Sequence, residues 1–450
     1  MGSISISIFV FFCASILFLY LQNYNYVTAA SVPVIRTNRE ASKVIIGGDH
    51  SYRSPSPKLT KGCSLPPPPP PSCNPISPRV LKATKAIKTF ASKIECDPVG
   101  YTETWKGDDA CKYKGFVCAE HPDDNLLAVA GVDFNGANFN GRDLTLEGFI
   151  DELEDITIFH ANSNNFTGKI PSKIAQFRFL YELDLSNNRL IGDFPLEVLG
   201  AKNLTFLDLR FNNFSGKVPP GLFNLDVDVL FINNNNLEQP LPDNLGSTPA
   251  LYLTFANNMF TGPIPKSIRG ASETLIEVLF LNNRLSGCLP MEIGYLKKAT
   301  LFDASNNQLT GPIPRSFACL AKIELLNFNN NKLFGAVPED VCKLPNLEKL
   351  SLANNYFTQV GPACRNLIER KILDVTSNCI LDLPYQKPKA ECARFFSKPS
   401  LCINHQVLTY IPCRLPWVSK WKSDSRRPAL TPAVSASPPV SYRAHSPDGL

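Results

Sequence analysis

Ten asparagines recur through the middle of this chain at nearly constant spacing: Asn164, Asn188, Asn212, Asn235, Asn258, Asn283, Asn307, Asn331, Asn355 and Asn378, 23 to 25 residues apart. Each sits in the pattern L-x-L-x-x-N-x-L-x-G-x-x-P, which is complete from Leu183 through Asn188 and Gly192 to Pro195. An earlier stretch has the same shape with Ala137 in the asparagine slot, between Phe134 and Phe139, so the chain holds about eleven units. A unit this short cannot bury its apolar side alone, and only stacking on its neighbours makes a core. Leu183 and Leu185 alternate, so both point to one side of a short strand. Asn188 then turns the chain inward, where a carboxamide satisfies backbone groups that the bend leaves unpaired. Gly192 allows a tight bend, and the apolar-Pro pairs that follow mark an extended return.

The fold class is therefore α/β: a leucine-rich-repeat solenoid of plant type with about eleven repeats over residues 129–380. Both open edges of such a stack need covering. Residues 77–128 read as the first cap, with Ser77 as N-cap, Pro78 in the first turn, and Ala83, Ile87, Phe90 and Ile94 on one helical face. Trp105, Cys111, Tyr113, Gly115 and Cys118 follow it. Residues 381–415 hold Cys392, Cys402 and Cys413 and read as a cysteine-stapled cap on the second edge, and 416–450 as a disordered tail.

The compartment is legible at the start of the chain. Residues 4–21 are apolar, and Val27-Thr28-Ala29-Ala30 suits a signal-peptidase cut, which makes 1–30 a signal peptide; a run of that length also suits an uncleaved anchor. Residues 31–76 form a Pro-containing disordered stalk with a proline run at 66–71 between Cys63 and Cys73. Thirteen of the 14 cysteines lie beyond the leader, an oxidising-compartment signature, and the odd number leaves one unpaired or intermolecular. Asn165, Asn203 and Asn213 open glycosylation sequons inside the repeats. Together these features predict a secreted glycoprotein.

The quoted patterns resemble the repeat half of plant leucine-rich-repeat extensins. The resemblance runs from about Pro78 to Cys413 and rests on DACKYKGFVC, YELDLSNNRLIGDFP, FLDLRFNNFSGKVP, LPDNLG, LSGCLPMEIG and VCKLPNLEKL. The serine-and-polyproline tail of that family is represented here only by Ser437-Pro438-Pro439, as in a short relative lacking the extensin tail. The resemblance implies a disulfide between Cys111 and Cys118. It also implies a place in the cell wall, a link to secreted cysteine-rich peptides of the rapid-alkalinisation type and to wall-sensing receptor kinases, and a disulfide-linked homodimer through Cys63 or Cys73.

Residues two, four and six before each ladder asparagine point out of the concave sheet. Glu182, Asp184 and Ser186 are polar, as a structural coil requires. The later coils differ. Phe206, Val229, Phe231, Tyr252, Leu279, Leu281 and Leu301 make an apolar stripe, with Asp184, Asp208, Arg210 and Asp303 as its rim. Such a patch predicts a protein or peptide interface. A one-residue error of phase, or strand residues packing on one another, would give the same pattern.

No H-E-x-x-H, P-loop, G-x-G-x-x-G or G-x-S-x-G occurs, so neither a catalytic site nor a cofactor or metal site is expected. The aspartate column Asp184, Asp208, Asp303 and Asp374 is interrupted by Phe231, Thr254 and Leu279, which argues for a solvated rim over acid–base work. Basic residues are dispersed, which excludes a nucleic-acid footprint, and no second apolar run reaches spanning length. The leading expectation is a non-catalytic extracellular recognition protein that binds a secreted peptide or wall protein on its concave face. The alternatives are a structural wall protein binding pectin, which a net charge of +5 permits, and a polygalacturonase-inhibitor-like protein.

Overall fold

The computed structural model describes residues 75–398, 402 and 408–415. The expected signal peptide, nearly all of the stalk with Cys63 and Cys73, and the tail lie outside them.

The chain opens on helix α1, Pro78–Ala91, whose first turn is fixed by proline and by the Ser77 side chain accepting from Arg79 N at 3.2 Å. Its inner face buries Val80, Ala83, Ile87 and Phe90, and the Phe90 ring stacks on Phe149 at 3.8 Å. Trp105 packs edge-on against Phe116, and its Nε1 donates to Lys114 O at 3.0 Å, so the indole is buried with its polar atom satisfied. Cys111 and Cys118 are bonded, as the resemblance implied, with Cα atoms 5.5 Å apart.

The solenoid's main sheet has 12 strands. The first, Phe116–Glu120, pairs antiparallel with Leu127–Asp133 and covers the opening edge. Every later neighbour is parallel and in register, one strand per coil, as in Leu207 opposite Leu183 and Leu230. The asparagines lie where the repeat puts them. Asn212 Nδ2 donates to Leu185 O, Leu209 O and Arg210 O at 2.9, 3.2 and 3.3 Å, while its Oδ1 accepts from Leu190 N at 3.0 Å. One side chain thus ties two coils together. The residue before it is left-handed in coil after coil: Asn187, Asn234, Asn257, Asn282, Asn306, Asn330 and Asn354 all have φ between 52° and 56°. Asparagine tolerates that region better than other non-glycine residues, which explains the paired asparagines of the sequence. Phenylalanines fill the interior, with Phe255, Phe280, Phe302 and Phe328 touching in sequence at ring separations of 5.8–6.0 Å.

Beyond the asparagine turn the coils pair again in two shorter sheets of four and five strands. The break falls after Asn236–Leu237, where Gln239 and Pro240 replace the usual glycine and its neighbour. Proline has no N–H to give a ladder.

At the far end Cys342 bonds Cys364 in the next coil, on helix α2, Pro362–Glu369. Cys379 bonds Cys392 on helix α3, Lys389–Phe396, and so staples the cap. Phe395 of α3 stacks flat on Tyr356 at 3.6 Å. The remaining cysteines do more than close that edge. Cys402 is bonded to Cys288 and Cys413 to Cys319, across 114 and 94 residues, a strap of two disulfides that ties these cysteines back to two earlier coils. Cys402 seats on Gly311, which has φ +88° and where a Cβ would lie 2.6 Å from the Cys402 Cβ. Among the described residues no helix is long and apolar enough to cross a membrane.

Candidate recognition surface on the inner sheet

The alternation of side chains on the inner strands has the expected phase. In the strand Val229–Phe231 and the turn after it, Leu230 and Ile232 belong to the core and Phe231 does not; Val278 and Phe280 do and Leu279 does not. Phe231 therefore faces the concave side, where the Arg210 guanidinium lies 5.0 Å above its ring.

Facing that side is not the same as lying open. The outer row, Phe206, Val229, Tyr252 and Leu301, is half-buried, and Leu281 is too. Phe231 and Leu279 are only 2% and 7% exposed, a correction to the fully exposed stripe. Strands about 4.8 Å apart pack large inner-face side chains against one another.

The expected rim is corrected as well. Asp184, Asp208, Arg210 and Asp303 are buried. The aspartates cap their own backbone: Ser186 N donates to Asp184 Oδ1 at 2.9 Å, Arg210 N to Asp208 at 3.1 Å, and Ser305 N to Asp303 at 2.8 Å. Asp374 does the same for Thr376 N at 3.0 Å, and Asn327 for Asn329 N at 3.1 Å. The need arises because the carbonyl that would continue the ladder is occupied: opposite Arg210 N, Leu185 O already accepts from Asn188 and Asn212. The carboxylate column is thus a local capping device. It is neither a solvated rim nor an acid–base pair.

Three titratable groups on this face have environments unlike water. Asp208 pairs with Arg210 Nε at 2.8 Å, yet burial pushes its carboxyl up to about 8 against the pull of that guanidinium. Burial raises Glu277 to about 7, and the Glu324 charge adds to the rise. His160 is 7% exposed. Burial lowers its pKa, but the hydrogen bond from Nε2 to Glu182 at 2.8 Å and the nearby carboxylates more than offset this and raise it overall.

Of the sequons, Asn203 and Asn213 are exposed, whereas Asn165 is half-buried and donates its amide to Phe139 O at 3.2 Å. Cys96 is exposed and outside the five described disulfides.

The comparisons with known proteins now bear on this geometry. A Leucine Rich Repeat family model matches residues 179–200, 203–225 and 299–320. Leucine-rich repeat extensin-like protein 6 of Arabidopsis thaliana is 42% identical over 328 residues, 72% of this chain and 68% of that relative. The chain belongs to the leucine-rich-repeat extensin-like family. A second family member, leucine-rich repeat extensin-like protein 7 of the same plant, is 37% identical, covering 72% of this chain and 74% of that protein. Protein 2 of the series is 36% identical, but the match spans only 30% of its length. Among solved structures, the ectodomain of the Arabidopsis thaliana receptor kinase GASSHO1/SCHENGEN3, in complex with CASPARIAN STRIP INTEGRITY FACTOR 2, superposes with a TM-score of 0.60. It is 25% identical, over 67% of this chain and 36% of that one. This family member therefore has the fold of a plant leucine-rich-repeat ectodomain.

Proposed function

We propose that this protein is an extracellular, cell-wall-associated recognition module that binds a secreted cysteine-rich peptide or a wall-associated protein on its concave face, without catalysis. The observation that carries this reading is the row Phe206, Val229, Tyr252 and Leu301. These are large apolar or aromatic side chains on the non-core side of a rigid sheet, each still partly open to solvent. The receptor ectodomain that shares the fold is in complex with CASPARIAN STRIP INTEGRITY FACTOR 2. The aspartates and His160 around the stripe are engaged in capping or pairing, which supports binding over chemistry.

Pectin is disfavoured on this face. Arg210 is buried beside Asp208, which leaves Lys349 as the exposed basic group of the described inner strands, although the whole chain carries +5. A polyanion would find few cations to pair with.

The test is capture of a synthetic cysteine-rich peptide of the rapid-alkalinisation type by the full secreted chain and by its Tyr252→Ser/Leu301→Ser variant. The variant is expected to keep its melting temperature within a few degrees and to weaken binding by about tenfold or more. Undiminished capture by the variant refutes the concave stripe as the interface. A steep loss of binding with salt in the unmodified chain would instead favour an electrostatic ligand.

A further inference from the structure

The capping device of the inner sheet is withheld in three consecutive coils. In eight coils the N–H two residues before the ladder position has a side-chain acceptor. Asn135, Ser186, Arg210, Ser305, Asn329 and Thr376 use the residue two before them, and Asn162 and Ala353 borrow Asn135 and Asn329 of the preceding coil. In the coils between Arg210 and Ser305 the capping position holds Phe231, Thr254 and Leu279. Phenylalanine and leucine have no acceptor, and Thr254 does not use its own. Among the described residues the N–H groups of Asn233, Ala256 and Leu281 accordingly have no acceptor.

A second observation falls on two of these three coils. The Oδ1 of Asn233 and the Oγ1 of Thr254 are buried and have no hydrogen-bond partner, in residues only 2% and 3% exposed. Unsatisfied buried polar groups each cost about 1–3 kcal/mol and are rare in folded proteins. Here donors and acceptors are orphaned on adjacent coils whose parallel strands are in register, with Thr254 opposite Phe231 and Leu279. The apolar row runs directly beside them, through Val229 and Tyr252.

A partner that satisfies both kinds of group must itself carry donors and acceptors at short intervals and be thin enough to lie between side chains. Peptide main chain meets both demands, and the flanking apolar residues supply contacts for its side chains. We infer that the inner surface of these three coils binds the main chain of an extended peptide, with the N–H groups of Asn233, Ala256 and Leu281 donating to its carbonyls and the Asn233 and Thr254 oxygens accepting from its amides. This deepens the concave-face reading and rests on it. It assigns the affinity to backbone groups that side-chain charge does not control.

The experiment uses the full secreted chain to select from a random-sequence decapeptide library, and the most enriched decapeptide, resynthesised, as probe. The probe is expected to slow hydrogen exchange at the Asn233, Ala256 and Leu281 amides. Thr254→Asn with Leu279→Asn gives two of the coils the acceptor that Asn327 supplies in its own. This variant is expected to weaken the probe by about tenfold while leaving the melting temperature unchanged or raised. Thr254→Val, which deletes the orphan hydroxyl without adding a group, is expected to act in the same direction on both readouts. Full affinity in these variants, protection on other coils, or a library that enriches nothing overturns the inference. If Tyr252→Ser/Leu301→Ser loses the probe while the capping variants keep it, the groove stands as an interface and the main-chain role falls.

Discussion

At the scale of single residues, the ladder asparagine does the most. Asn307 donates to Phe280 O, Ala304 O and Ser305 O at 3.0, 3.2 and 3.0 Å, and accepts from Leu285 N at 2.9 Å. Asn307→Ala would leave several buried backbone groups of two coils unpaired. The expected cost is about 3 kcal/mol, read as a lowered midpoint in urea unfolding. A loss of a few tenths would mean that the coils hold without the carboxamide. The residue scale also shows why equal positions are not equivalent. Asp208 and Thr254 occupy the same slot two coils apart, yet one caps its backbone and the other leaves its hydroxyl unused.

At the scale of the strand and its neighbours, the inner sheet is tuned toward acid. Glu277 is half-buried between Tyr252 and Leu301 on the flanking strands, and its carboxyl rises from 4.5 to about 7. The folded state therefore holds that proton more tightly than the unfolded chain. The resulting stability is present below about 4.5 and is lost as pH rises to about 7. His160, raised above 6.5 by Glu182 against the opposing effect of burial, loses its contribution as pH rises past 6.5, and buried Asp208 acts in the same sense. The protein is expected to melt at a higher temperature at pH 5 than at pH 8. Glu277→Gln should flatten the curve between 4.5 and 7, by about 3 kcal/mol at most, and leave the part above 7 intact. A melting profile whose slope is the same in the variant would show that Glu277 titrates as an ordinary surface carboxylate.

At the scale of the whole molecule, the strap turns a stack of near-neighbour contacts into a closed object. A solenoid without it holds each coil only through the adjacent ones. Bonds closing loops of 114 and 94 residues each stabilise by about 4–5 kcal/mol on chain-entropy grounds. Cys402→Ser with Cys413→Ser is expected to lower the melting temperature clearly. It should also speed hydrogen exchange in Arg284–Cys288 and Gln308–Gly311, the flanking strands under the strap, before the inner strand Tyr252–Thr254. Unchanged exchange in those flanking strands would mean the strap is a passive tail.

What the sequence determined by itself was everything set by short-range repetition. The 23-to-25-residue period gives the coils, and the alternation around Leu183 and Leu185 gives the phase of the inner face. The paired asparagines and the break in the aspartate column at Phe231, Thr254 and Leu279 were visible too, although only the structure showed that the column caps backbone. Tertiary structure alone decided which cysteines pair across 94 and 114 residues, and that Phe231 and Asp208 are covered where they face the groove. Period and phase follow from bonds between groups a few residues or one coil apart. Long-range disulfides and inner-face burial depend on how the coils curve and stack, and no spacing along the chain encodes that geometry.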